Sequence, residues 1–213
     1  RQVSGFKYND DNSPFSSPKN ERMCLQYFIQ HKDDDMPSPF WDFSVDVYDR
    51  DGVPPACLAL QEGCGIDVNM VLLCCWAGEI GAGHLGLQNI RQALGAINGW
   101  HFDVVRGLRT VRNHLKSGFR GFEDEAVQEL RKSILKIELD SEHMEQDRLA
   151  NAVSLTPGTD ILPEQKASDA AANLADYFAL GASSNHEDRN GHIASILAAC
   201  FSEVPQTKID RIV

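Results

Sequence analysis

The stretch that most constrains the fold is Val68–Ile80, V-N-M-V-L-L-C-C-W-A-G-E-I, which is apolar nearly all round a helical wheel. A helix without a polar face has to be enclosed by other elements, so this one is predicted at the centre of a helical bundle. Asp67, directly before it, is placed to cap its N-terminus. The run is too short to cross a bilayer. Its longest apolar part, Met70–Ala77, ends at Gly78 and Glu79, and a spanning helix needs about 20 apolar residues.

The flanking sequence also reads as helices. Ser38 caps a first helix that has Pro39 in its first turn and extends to about Arg50. Asp51-Gly52 is a turn, Pro54-Pro55 open a second helix over Ala56–Glu62, and Gly63 and Gly65 end it. After the central helix, glycines loosen the chain before a fourth helix over about His84–Ile97. A fifth covers about Trp100–Lys116, with Val104, Leu108, Val111 and Leu115 as its predicted core stripe. A sixth starts near Glu123, with acids in its first turn. Its predicted stripe is Val127, Leu130, Ile134 and Ile137, and its polar second half, Glu138–Arg148, is expected to face solvent or a partner. A Pro/Gly-bearing connection at Ser154–Gln165 leads to an amphipathic helix marked by Ala167, Ala170, Ala171, Leu174, Tyr177 and Phe178. A short helix over Ile193–Phe201 and a frayed end follow.

No strand-like alternation and no repeat are visible. The fold class is therefore all-α, a single bundle of about seven or eight mostly antiparallel helices over residues 38–201. Residues 1–35, rich in Asn, Asp, Ser, Lys and Pro, read as a disordered or extraneous N-terminal segment, with Met36, or Met23, as a candidate natural start. Residues 36–155 are expected to form the helical core, and residues 156–213 a linker and C-terminal helices packed on it.

Charge narrows the partners. A net charge of −11 disfavours nucleic acid and anionic membranes, both of which call for clustered Lys and Arg. None of the six cysteines forms a C-x-x-C pair, and Cys74-Cys75 lie inside the apolar helix. They read as reduced core thiols of a cytoplasmic protein rather than as a zinc or disulfide framework.

Candidate chemistry comes from three charged groups. Arg109, Arg112 and Lys116 share one face of the fifth helix. They either hold a phosphate or carboxylate ligand or pair with acids on the first or sixth helix. Asp42, Asp46 and Asp49 share a face of the first helix and resemble one half of the aspartate-rich site of prenyl-diphosphate enzymes. No second half is visible, and a solvated face is expected. Glu142-x-x-Glu145, with Glu138 before it, resembles part of the signature of all-α nucleotide pyrophosphohydrolases. No matching acidic pair follows, because Asp169 and Asp176 are spaced wrongly. Asn69 and Gln61 read as polar residues that tie loops to helices. No catalytic residue, metal ligand or cofactor is nominated.

The elements Phe40-Trp41-Asp42-Phe43, Tyr48, Cys57-Leu58-x-Leu60-Gln61 and Asp67-Val68-Asn69, with Leu72 and Trp76, resemble a family of short proteobacterial helical proteins of unknown function. The resemblance is dense over residues 40–77 and looser to about Leu139. It implies a soluble bacterial cytosolic protein, supports Met36 as the start, and carries over no functional residue. The leading functional expectation is a non-catalytic accessory or protein-interaction factor with a protein partner of unknown identity. The alternative is a phosphate- or diphosphate-ligand binder, Mg-dependent in one version. It would use Asp42 and Asp46, or Glu138 and Glu142, with Arg109 and Arg112.

Overall fold

The computed structural model describes residues 38–181 and 188–213. The expectations for residues 1–35 and for Met36 fall outside that range. The described residues form α1 (Pro39–Tyr48), α2 (Val53–Cys64), α3 (Val68–Glu79), α4 (Gly86–Trp100), a π-helical segment (His101–Val105), α5 (Arg106–His114), α6 (Asp124–Ala152), α7 (Pro163–Ala179), α8 (Arg189–Cys200) and α9 (Gln206–Ile212). Among the described residues there is no strand, and the helices pack as a bundle. None of these helices is long and apolar enough to cross a membrane.

As its composition requires, α3 is the centre. It packs against α1, α2, α6, α7 and α8, most extensively against α7. Met70, Leu73, Cys74 and Cys75 on it are fully buried, and a buried side chain of leucine size contributes about 1.5–3 kcal/mol. The approach of α3 to α7 depends on Gly78. A Cβ there would lie 2.5 Å from the Lys166 carbonyl oxygen and 2.8 Å from the Ala170 Cβ. Polar ties from α7 fix the start of α3 and the start of α4. The Asp67 N–H donates to the Tyr177 hydroxyl at 2.8 Å, and the fully buried Asn173 accepts from the Leu85 N–H at 2.7 Å. The C-terminal helices thus complete the core. The end expected to fray forms α9, because Ile209 buries completely.

The five described cysteines are free and buried. Burial pushes the Cys57 and Cys74 thiols far above their ordinary range, which leaves them unreactive.

Two expectations about helix faces are corrected. The fourth and fifth predicted helices are one continuous rod, α4 running through the π segment into α5. Each residue turns an α-helix by about 100°, and a π turn inserts one extra residue. The inward face of α5 is accordingly shifted by one position. Val105 and Arg112 are buried, whereas Val111, expected in the stripe, is 50% exposed.

The second correction concerns α6. Val127 is buried as expected, but Leu130 and Ile137 are each 53% exposed, and Glu138, Ser141, Glu145 and Gln146 are buried instead. The polar half of α6 faces inward. Ser38 also differs in mechanism. It occupies the N-cap position of α1 without a side-chain cap, and its hydroxyl donates to Asp147 Oδ1 at 2.7 Å, tying α1 to α6.

Candidate functional site

Buried charge needs a partner, and α5 and α6 supply each other's. Arg112, 2% exposed, donates from Nε to Glu138 Oε2 at 2.5 Å and from Nη2 to Oε1 at 3.0 Å. This is the two-pronged geometry that suits a guanidinium to a carboxylate. Arg109 donates from Nε to the same Glu138 Oε1 at 3.0 Å and from Nη2 to Glu142 Oε1 at 2.5 Å. Pairing with the sixth helix, one of the two alternatives for this arginine face, is therefore what Arg109 and Arg112 do. Lys116 lies just beyond α5 and is half-buried. Asp42 and Asp46 stand exposed on the outer face of α1, and Asp46 accepts from Arg50 at 2.5 Å.

Two turns along α6 from Glu138 a second polar group meets the start of α3. Asp67 is the side-chain cap expected of it, accepting from the Asn69 N–H at 2.9 Å through Oδ1. The Asn69 side chain donates to Glu145 Oε1 at 2.7 Å and accepts from Gln146 Nε2 at 2.8 Å. His101, first residue of the π segment, turns Nδ1 toward Asp67 Oδ2 at 3.2 Å and Glu145 Oε2 at 3.3 Å. Those separations are ion-pair distances without hydrogen-bond geometry. Asp67 Oδ2, Glu145 Oε2 and Gln146 Oε1 are buried with no hydrogen-bond partner. All three are acceptors, and the single Nδ1 of His101 is shared between two of them.

The crowding shows in proton affinities. Burial, reinforced by the Glu145 charge, pushes Asp67 up to about 7. Burial also raises Glu142 to about 7, against the pull of Arg109. For His101, burial acts downward, but the Glu145 contact and the Asp67 and Glu145 charges outweigh it and the pKa rises.

Between α1, α3, α5 and α6 lies a cavity of about 60 Å³. Trp41, Tyr48, Val68, Leu72 and Leu139 form its apolar walls. Gln61, Asp67, Asn69, Arg109, Glu142 and Gln146 supply its polar groups. Trp41 is held by stacking on His143, with ring centroids 4.2 Å apart. The F-W-x-F, L-Q and D-V-N elements, apart in sequence, are thus brought to one place. Asp42, Asp46, Arg112 and Lys116 are not among its lining residues.

Residues 39–149 match a family described as proteins of unknown function, DUF2390. The chain belongs to the DUF2390 family. No curated protein and no solved structure matches it. The DUF2390 segment contains all the cavity residues named above and the Asp67, His101 and Glu145 group, while Tyr177, which supports Asp67, comes from α7 beyond it.

His101 and Glu145 were not identified by sequence reasoning as members of one group. The usable signal was at Asp67 and Asn69, polar residues at the mouth of an apolar helix. Nothing local ties His101 to them.

All three raised pKa values have the same consequence for stability. Asp67, Glu142 and His101 each hold a proton more tightly folded than unfolded. The folded state therefore binds more protons between about pH 4 and somewhat above 7, and stability falls as pH rises through that window. In the presence of chelator, the urea unfolding free energy is expected to drop by on the order of 1–2 kcal/mol between about pH 6 and pH 8. A rise over that interval contradicts the buried arrangement.

Proposed function

We propose that this chain is a binding protein for a small amine-bearing molecule, held in the cavity between α1, α3, α5 and α6. The observation that carries this reading is a buried acceptor without a hydrogen-bond partner at an aromatic-walled, acidic cavity. Gln146 Oε1 is buried there without a hydrogen-bond partner. Asp67 and Glu142 bring two carboxylates against the one guanidinium of Arg109, and Trp41 and Tyr48 bring aromatic faces. Aromatic rings and carboxylates together favour a cationic headgroup with donors. A diphosphate has less support, since Arg112 is buried against Glu138 and Asp42 and Asp46 stand outside the cavity.

The test is a thermal-shift series with small primary and quaternary amines. A ligand at a hundredfold excess over its dissociation constant stabilises by about 2.7 kcal/mol. The expected result is a rise in Tm for amines that is absent for their carboxylate isosteres and lost in Trp41→Ala. Equal shifts in wild type and Trp41→Ala, or none for any amine, sink the reading.

A second reading, protein docking, has its own observation. Leu130, Ile137 and Met144 are 53%, 53% and 58% exposed, and their seven-residue spacing places them along one line of α6. Leu130 and Met144 are equidistant from Ile137, so an antiparallel second copy brings each against the other across a two-fold axis. The occupant this supports is another molecule of the same chain. Sedimentation is expected to give a dimer that Ile137→Lys converts to monomer; a wild type that stays monomeric at high micromolar concentration contradicts it.

A further inference from the structure

We propose that Asp67, His101 and Glu145 form a binding site for one divalent first-row transition ion of the zinc, manganese or iron class. Each of the three offers one ligand atom, and these atoms all lie within 4.8 Å of one another. His101 Nδ1 is 3.2 Å from Asp67 Oδ2 and 3.3 Å from Glu145 Oε2. With metal–ligand bonds of about 2.0–2.1 Å, the edge of a tetrahedral site is about 3.3–3.4 Å. Both edges that meet at His101 Nδ1 already have about that length, and the third lies within 4.8 Å.

Hydrogen bonding accounts for the group less well. One imidazole N–H serves one oxygen at a time, and His101 Nδ1 faces three, counting Glu145 Oε1 at 3.4 Å. A charge-assisted bond draws its partners to about 2.7–2.9 Å, and none of the three contacts is that short. Both carboxylates are also engaged on their other side by the same residue. The Asn69 N–H holds Asp67 Oδ1, and the Asn69 side chain holds Glu145 Oε1. What remains is Oδ2 and Oε2, the two atoms turned to His101 and lacking hydrogen-bond partners. Outer contacts of this kind orient metal ligands.

Charge agrees. Two carboxylates with a neutral imidazole balance a divalent ion, while the neighbouring guanidinium groups of Arg109 and Arg112 are engaged by Glu138 and Glu142. One nitrogen and two oxygens suit zinc, manganese or iron better than calcium or magnesium, which prefer all-oxygen shells. The three ligands sit on fixed elements: the cap of α3, the body of α6 and the first residue of the π turn. Entry is open on the His101 side, where a depression of about 200 Å³ is lined by Asp67, His101, Phe102, Arg106 and Tyr177. The site stands whether or not the aromatic cavity takes an amine.

The experiment uses the full chain, stripped with chelator and dialysed. Calorimetric titration with Zn²⁺ is expected to show one equivalent bound, with affinity reduced at least about 100-fold in His101→Ala and in Glu145→Gln. Trp41→Ala, which abolishes the proposed amine binding, is expected to bind Zn²⁺ like wild type, so the two proposals fail separately. Circular dichroism establishes that each variant folds. Histidine ring resonances of the wild type give a measurement that needs no variant, because Zn²⁺ should shift those of His101. Less than one equivalent bound, shifts confined to other histidines, or unchanged affinity in His101→Ala overturns the proposal.

Discussion

A guanidinium carries its charge at every accessible pH, so the burial of Arg112 imposes a condition that much of the molecule satisfies. Glu138 must lie directly against it, and it does, with both oxygens engaged. That pairing sets the rotation of α5 and of α6. Once Glu138 points inward, helical geometry carries Glu142 and Glu145 inward one and two turns later. Glu145 then meets the N-terminus of α3, where Asp67 and Asn69 wait. Breaking such a pair leaves an uncompensated charge in the interior, at about 3–5 kcal/mol.

The π segment is the other half of the same arrangement. Its extra residue lets α4 keep Ile90, Ala93 and Ile97 in the core while α5 presents Arg112 rather than Val111. It also sets His101 facing Asp67 and Glu145. π-bulges are often found at functional sites, and here the distortion delivers both the buried cation and the imidazole. Beyond the DUF2390 segment, α7 contributes support: Tyr177 accepts from the backbone of Asp67, and Ala170 packs against the bare face of Gly78.

Much of the fold was legible in the sequence and little of the site. The apolar ring of α3 could only be central, and Asp67 could only usefully cap it; both stand in the structure. The faces of α5 and α6 depart from the expected stripes for two physical reasons. Periodicity places apolar residues inward, and on α6 the inward residues are charged because their partners are on another helix. Leu130 and Ile137 share the apolar spacing of a core stripe yet lie outside. No local pattern distinguishes a glutamate that will pair with a buried arginine from one that will face water. The single inserted residue of the π turn leaves no mark either, and it is what moves the stripe from Val111 to Arg112.

The dependence of this arrangement on one ion pair is best measured by a double-mutant cycle on Arg112 and Glu138, read as urea unfolding free energies. If the pair sets the faces of α5 and α6, Arg112→Met and Glu138→Leu each cost about 3–5 kcal/mol alone, while the double variant is more stable than Glu138→Leu alone, Arg109 keeping Glu142 as its partner. Small or additive losses would mean that Arg112 and Glu138 are not buried against each other, and the inward polar face of α6 would fall with them.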